Sequence, residues 1–217
     1  MDQSLLALLP PVPRLALAYA PVRARPAWLA LLALDARLAQ QLRNAREPIL
    51  AQIRLAWWRD RLREPAAKWP QGEPLLAALA DWRGEHGSLV ALVDGWEMLL
   101  GEAPLAQAAL EAFVAGRAVA ASALAGVVGH PEAGETAYRA GKGWAIGDLA
   151  AHLSHPEELA AARILAERHD WRIARLPRAL RPLAVLNGLS ERSLNLRRRN
   201  ISGNGFLLAL RLGILGI

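Results

Sequence analysis

Arg46-Glu47-Pro48-Ile49-Leu50-Ala51-Gln52-Ile53-Arg54-Leu55-Ala56-Trp57-Trp58-Arg59-Asp60-Arg61-Leu62 is the stretch that decides the fold class. Pro48 suits a helix start, where the first N–H groups have no intrahelical partner, and Glu47 favours the positive end of the helix dipole. Leu50, Ile53, Ala56 and Trp57 then recur at three- and four-residue spacing, and Ala51, Leu55, Trp58 and Leu62 make a second apolar row. A helix apolar on two sides is expected to have neighbours on both flanks inside a bundle. Arg54, beside those rows, is expected to find a carboxylate, a carbonyl or a ligand phosphate. Core packing accounts for the two tryptophans; lining a pocket for an apolar ligand is the sharper reading.

The rest of the chain reads the same way. Of its 217 residues 53% are hydrophobic but only 6% aromatic, and Ala and Leu supply much of that content, which favours helix over sheet. Residues 14–20 form a short helix ended by Pro21, Pro26 opens a helix to about Arg43, and the quoted helix follows. Pro65, Pro70, Gly72 and Pro74 mark a loop. Helices are expected from Pro74 to about Trp82, from Ser88 to about Leu100, from Pro104 to about 128 and from Glu135 to Leu153. Three shorter ones cover 157–168, 177–188 and 190–198, and a last one follows Gly205. On the 104–128 helix, Ala108, Ala112, Ala115, Val119 and Ala123 make a small-residue face that invites a close neighbour. Gly141, Gly143 and Gly147 each cost about 1 kcal/mol relative to Ala inside a helix, so close approach by a backbone or ligand is expected there.

Charge is unevenly spread. Residues 1–162 carry a balance of −2, whereas 163–217 carry +8. That basic end (Arg172, Arg175, Arg178, Arg181, Arg197, Arg198, Arg199) fits an anionic membrane or an acidic partner; nucleic acid is not expected, because no reader motif accompanies the charge. With no cysteine there is no disulfide framework, which fits a reducing compartment. No targeting signal stands out, and Phe206 to Ile217 is too short to span a bilayer; it is expected to close the core, with an amphipathic anchor in the membrane interface as the alternative. The expected location is cytoplasmic, with peripheral contact on the inner face of the membrane.

Several stretches together resemble the squalene/phytoene synthase family, the all-helical head-to-head prenyltransferases. They are Ala33-Leu34-Asp35, Arg54-Leu55-Ala56-Trp57-Trp58-Arg59, Val93-Asp94-Gly95-Trp96-Glu97, Gly141-Lys142-Gly143-Trp144-Ala145-Ile146-Gly147-Asp148 and the 177–198 region. Their order covers most of the chain from about Arg14 to Arg198, and the look is closest to a divergent, non-synthase branch tied to assembly of respiratory complex I. The resemblance implies an all-α, single-domain orthogonal helical bundle of the isoprenoid synthase type over residues 1–217. It also implies a central apolar cavity, with Trp57, Phe113 and Trp144 as lining residues and an isoprenoid or lipid as occupant.

In such enzymes two aspartate-rich patches hold Mg²⁺ under the departing diphosphate, and hard Mg²⁺ needs oxygen ligands. The first patch would fall at Ala39, Gln40 and Arg43, which carry no carboxylate, and the second at His152, His155 and Pro156, after Asp148. The chain therefore reads as catalytically inactive and without a cofactor; Mg²⁺ belongs only to the alternative, an active prenyltransferase with a non-standard site. Asp94 and Glu97 share a helical face, either to hold a ligand or to meet an Arg from a neighbouring helix. Asp148, His152 and His155 have a spacing open to a transition metal, against a plain helix terminus; no metal is expected. Arg117, Arg139 and Lys142 are expected at the solvated surface, with metal-free diphosphate binding as the alternative.

Overall fold

Proline punctuates the helices of this chain, and the computed structural model shows where. It describes residues 2–44, 47–82, 84–199 and 212–213, with side chains for all of these except 196–199. The α-helices are α1 (Gln3–Leu8), α2 (Pro11–Ala18), α3 (Arg25–Arg43), α4 (Pro48–Arg63), α5 (Pro74–Ala80), α6 (Val90–Glu97), α7 (Gln107–Val127), α8 (Gly134–His152), α9 (Pro156–Arg168) and α10 (Arg181–Arg199). Among the described residues there is no strand. Six α-helices carry proline in their first two positions, where its fixed φ helps and its missing N–H costs nothing. Side chains cap α1 and α5: Asp2 accepts from Ser4 N at 2.8 Å and Glu73 from Leu75 N at 3.3 Å.

The helices share one hydrophobic cluster running from Leu5 to Leu186, with α3, α7 and α8 at its centre. α7 is long and apolar enough to cross a membrane by composition, but 56% of its most apolar window is buried inside the bundle. It packs against α6 on one side and α8 on the other, and α8 in turn packs against α10.

Glycine makes these contacts. Gly95 of α6 lies on the α7 backbone, where a Cβ would stand 3.0 Å from Phe113 Cα, and a Cβ on Gly116 would collide with the Ala91 carbonyl. A Cβ on Gly141 would sit 3.0 Å from Ala118 Cα, one on Gly143 would strike Asn187, and one on Gly147 would strike Ser190 of α10. The three glycines of α8 are thus kept by close approach, as their cost in a helix implied. The α7 face chosen from sequence was the wrong one: Ala112, Ala115, Val119 and Ala123 are half-buried and Ala108 is exposed, while the close contacts run through Gly116, Ala118 and Ala121.

α4 corrects a larger expectation. Its row Ala51, Leu55, Trp58 and Leu62 is buried, but Ile49, Leu50, Ile53 and Trp57 face outward, with Ile53 60% and Trp57 39% exposed. Trp57 therefore lines no core pocket; it meets the edge of buried Trp58, ring centroids 4.9 Å apart. Arg54 is exposed and needs no interior partner. The two helices expected over 177–198 are one helix, α10, preceded by a short 3₁₀ turn at Arg178–Leu180. Gly188 does not break it, because that bare position receives the Leu212 side chain. Of the terminal apolar run only Leu212 and Gly213 are described, and Leu212 packs on the core; the helix expected there otherwise lies outside the described residues.

Gly116→Ala is expected to cost about 1–3 kcal/mol in urea denaturation, since it must push α6 from α7. Gly126→Ala, in the same helix with nothing within 4 Å of the new Cβ, is expected to stabilise by up to about 1 kcal/mol.

Candidate functional site

The close crossings bracket one residue. Gly116 brings α6 against α7 immediately before Arg117, and Ala118 meets Gly141 of α8 immediately after it. Arg117 consequently enters the centre of the bundle and is 1% exposed, where sequence reasoning placed it at the solvated surface. A guanidinium cannot shed its charge, so in such a place it needs carboxylates and ring faces.

It has both. Its Nη2 donates to the two carboxylate oxygens of Asp35 on α3 at 3.0 and 2.9 Å, and its Nε donates to Asp35 Oδ1 at 3.2 Å. Its Nη1 donates to Asp148 Oδ2 on α8 at 2.8 Å. Trp96 on α6 donates its indole N–H to Asp35 Oδ1 at 2.9 Å. The guanidinium carbon lies 4.3 Å from the Trp144 ring centroid, 4.5 Å from Phe113 and 5.5 Å from Trp96. Four helices thus converge on one cation. Burial pushes the Asp35 carboxyl upward, and Arg117 pulls the other way. Arg117 itself is held above its ordinary value by Asp35 and Asp148, despite burial working against its charge.

The network reaches solvent through Asp148, whose side chain is 29% exposed. Burial opposes its ionisation, yet the charge of Arg117 and the hydrogen bond from His152 hold its pKa at about 2. His152 directs Nδ1 to the Asp148 carbonyl at 2.9 Å and to its Oδ1 at 3.2 Å. The Asp148 contact is also what raises the His152 pKa. His155 turns away: its Nδ1 accepts from Glu157 N at 3.4 Å and caps α9. Among the described residues no three metal-binding side chains come together.

The other acidic pair is equally engaged. Arg59 on α4 donates through Nε to Asp94 Oδ1 at 2.6 Å and through Nη2 to Glu97 Oε2. These two carboxylates therefore meet an arginine of a neighbouring helix, one of the two readings open to them. Arg139 lies 3.5 Å from Asp170.

Of the residues singled out for a cavity, the structure gathers Phe113, Trp144 and Asp148 around Arg117 and leaves Trp57, Asp94 and Glu97 at or near the surface. Of the basic residues, Arg172, Arg175 and Arg178 are exposed and Arg181 half-buried; the side chains of Arg197, Arg198 and Arg199 lie outside the described residues. Sequence reasoning did not see Asp35, Trp96 and Arg117 as a unit. The signal was there: Arg117 is the lone charge between Glu111 and the end of α7.

Arg117→Met is expected to destabilise by about 3–5 kcal/mol, because Asp35 is left buried and unpaired. Adding Asp35→Leu to that variant is expected to recover about 1–3 kcal/mol, measured by denaturation of both proteins. Because the folded pKa of Asp148 lies below its unfolded value of 3.8, its contribution is complete above that pH. It is lost as pH falls towards 2. Acid titration by circular dichroism is expected to show roughly 2 kcal/mol of stability disappearing across this window in the native chain, and a flatter profile for Asp148→Asn. His152 has the opposite sign: its pKa is raised above 6.5, so its contribution is present below that value and fades as pH rises past the folded pKa. His152→Ala is expected to remove that decline on the alkaline side.

Comparison with known proteins supplies no relative, since no family model, curated protein or solved structure matches the chain.

Proposed function

We propose that the chain is a squalene/phytoene synthase-like bundle without transferase activity. Its role is to assist assembly of a membrane respiratory complex of the complex I kind, while the core keeps the outline of an isoprenoid site. The observation that carries this reading is the pairing of the carboxylates. An allylic diphosphate leaves only if divalent cations neutralise it, and Mg²⁺ takes carboxylate oxygens that are free to coordinate. Asp35 and Asp148 already share Arg117, and Asp94 and Glu97 already share Arg59. A cation placed beside any of them would first have to displace a guanidinium. The donor set does not fit Mg²⁺.

The core arginine also supports a structural role. Arg117 fills the space between Phe113, Trp96 and Trp144, aromatic faces that would otherwise suit an isoprenoid chain. A protein that has put a cation there works through its outer surfaces. The outward row of α4 and the arginines of residues 172–181 are the surfaces open to a respiratory-complex subunit.

Incubation of the purified chain with farnesyl or geranylgeranyl diphosphate, Mg²⁺ and NADPH is expected to give no product. Titration with Mg²⁺ alone is expected to give no saturable heat. Turnover lost on Asp94→Ala or Asp148→Ala would instead establish an active prenyltransferase with a non-standard site. Affinity capture from native membranes is expected to retain subunits of a respiratory complex. Recovery of a bound isoprenoid or lipid with no such subunit would make the chain a lipid carrier.

A further inference from the structure

Residues 169–177 join α9 to α10 and belong to no helix. A segment of this kind has no hydrogen-bond ladder of its own and keeps its place through side chains. Trp171 donates its indole N–H to the Ala166 carbonyl of α9 at 2.9 Å. Leu176 is buried, and Ile173 packs on the core. From α10, Asn187, only 3% exposed, donates Nδ2 to the Trp171 carbonyl at 3.3 Å.

That bond decides where the other end of the carboxamide lies. Its Oδ1 rests on the bare face of α8, where a Cβ on Gly143 would stand 1.9 Å from it and 2.9 Å from His169 Nε2. Both atoms are buried with no other hydrogen-bond partner, and it is Asn187 that acts on His169. An amide oxygen only accepts, so the imidazole suits this place as the neutral tautomer protonated on Nε2. The ring also meets Trp171 edge to face, centroids 4.7 Å apart. Several charges surround it. α8 brings Lys142 and Arg139, the segment brings Asp170 (3.5 Å from Arg139), α10 brings Glu191 one turn beyond Asn187, and α9 ends in exposed Glu167 and Arg168. Burial is the largest influence and lowers the His169 pKa; Lys142 and Arg139 act the same way, while Asn187 and Asp170 oppose them.

We propose that residues 169–177 are a proton-sensitive strap, tied across α8 and α10 while His169 is neutral and lifting when it is protonated. The second proton charges a ring held against Trp171 and Gly143, beside Lys142, and lifting brings that charge into water. It also uncovers the apolar sides of Trp171 and Ile173. The sign follows from the two states. Lifted, the ring titrates near its ordinary 6.5; tied down, it titrates below that value. Closure is therefore complete above pH 6.5 and weakens as pH falls towards the tied-down pKa, by up to about tenfold per pH unit for one proton. The strap is independent of what the core does with isoprenyl diphosphates, so prenyl turnover would leave the proposal standing.

The test begins with an NMR titration of the full native chain from about pH 7.5 to about pH 5.5. The His169 ring is expected to show a midpoint below 6.5, and the Trp171 indole N–H signal is expected to move with the same midpoint. The chain has no cysteine, so Ile173→Cys supplies a single reporter inside the strap. Its labelling by dithiodipyridine, each rate divided by that of the denatured chain at the same pH, is expected to rise by up to about tenfold per pH unit as the solution is acidified. In the background His169→Gln, which keeps an N–H for Asn187 but cannot titrate, labelling is expected to stay flat. Circular dichroism at each pH confirms that the helices are kept. A His169 midpoint at or above 6.5, a Trp171 signal indifferent to pH, or the same acid rise in His169→Gln would each overturn the proposal, and the first two are read on the native chain whether or not a variant folds.

Discussion

One guanidinium organises the interior of this molecule. Arg117 brings a permanent charge to the centre of a bundle whose other buried side chains are almost all apolar, and the surrounding elements are arranged to accommodate it. α3 supplies Asp35, α8 supplies Asp148 and Trp144, and α6 supplies Trp96. The glycine crossings on either side let these helices come close enough to reach it. A buried ion pair is not by itself a stabilising device, because desolvation consumes much of the Coulomb attraction. What it does here is fix which faces of three helices meet, since any other register leaves a charge without a counter-charge.

Much of the helical layout could be read from the chain because proline and apolar periodicity agree along it. Pro26, Pro48, Pro74 and Pro156 each mark a helix start. The all-helical class followed from composition. Periodicity failed where it had to say which apolar row has a neighbour. The rows through Leu50 and Leu55 look alike in sequence, but only the second meets α3 and α6, and nothing local to α4 encodes that. The two helices expected over 177–188 and 190–198 fail for a related reason: Gly188, a bare position that receives Leu212, sits inside one continuous helix.

The centre was legible in pieces and not as a whole. Asp35, Trp96, Trp144 and Asp148 all lie in the stretches that carry the family resemblance, and each was noted there. Their common partner lies in a stretch that carries none. Arg117 is 82 residues from Asp35 and 31 from Asp148, and sequence spacing has no term for such distances. Asp94 and Glu97 were easier, because a pair of acids on one helical turn poses a local question, and Arg59 on the adjoining helix answers it.

The same arrangement bears on how the chain assembles. An arginine whose counter-charges come from helices so far apart in sequence gains little until all of them have docked. A compact state holding α7 and α8 without α3 would strand Asp35 in water and leave the guanidinium half-satisfied in an apolar setting. Partial collapse is therefore disfavoured, and the three helices are bound into one cooperative unit in which the last arrival seals the charge. A sequence so rich in Ala and Leu, able to pack in many registers, acquires from one polar knot an intolerance of near-misses.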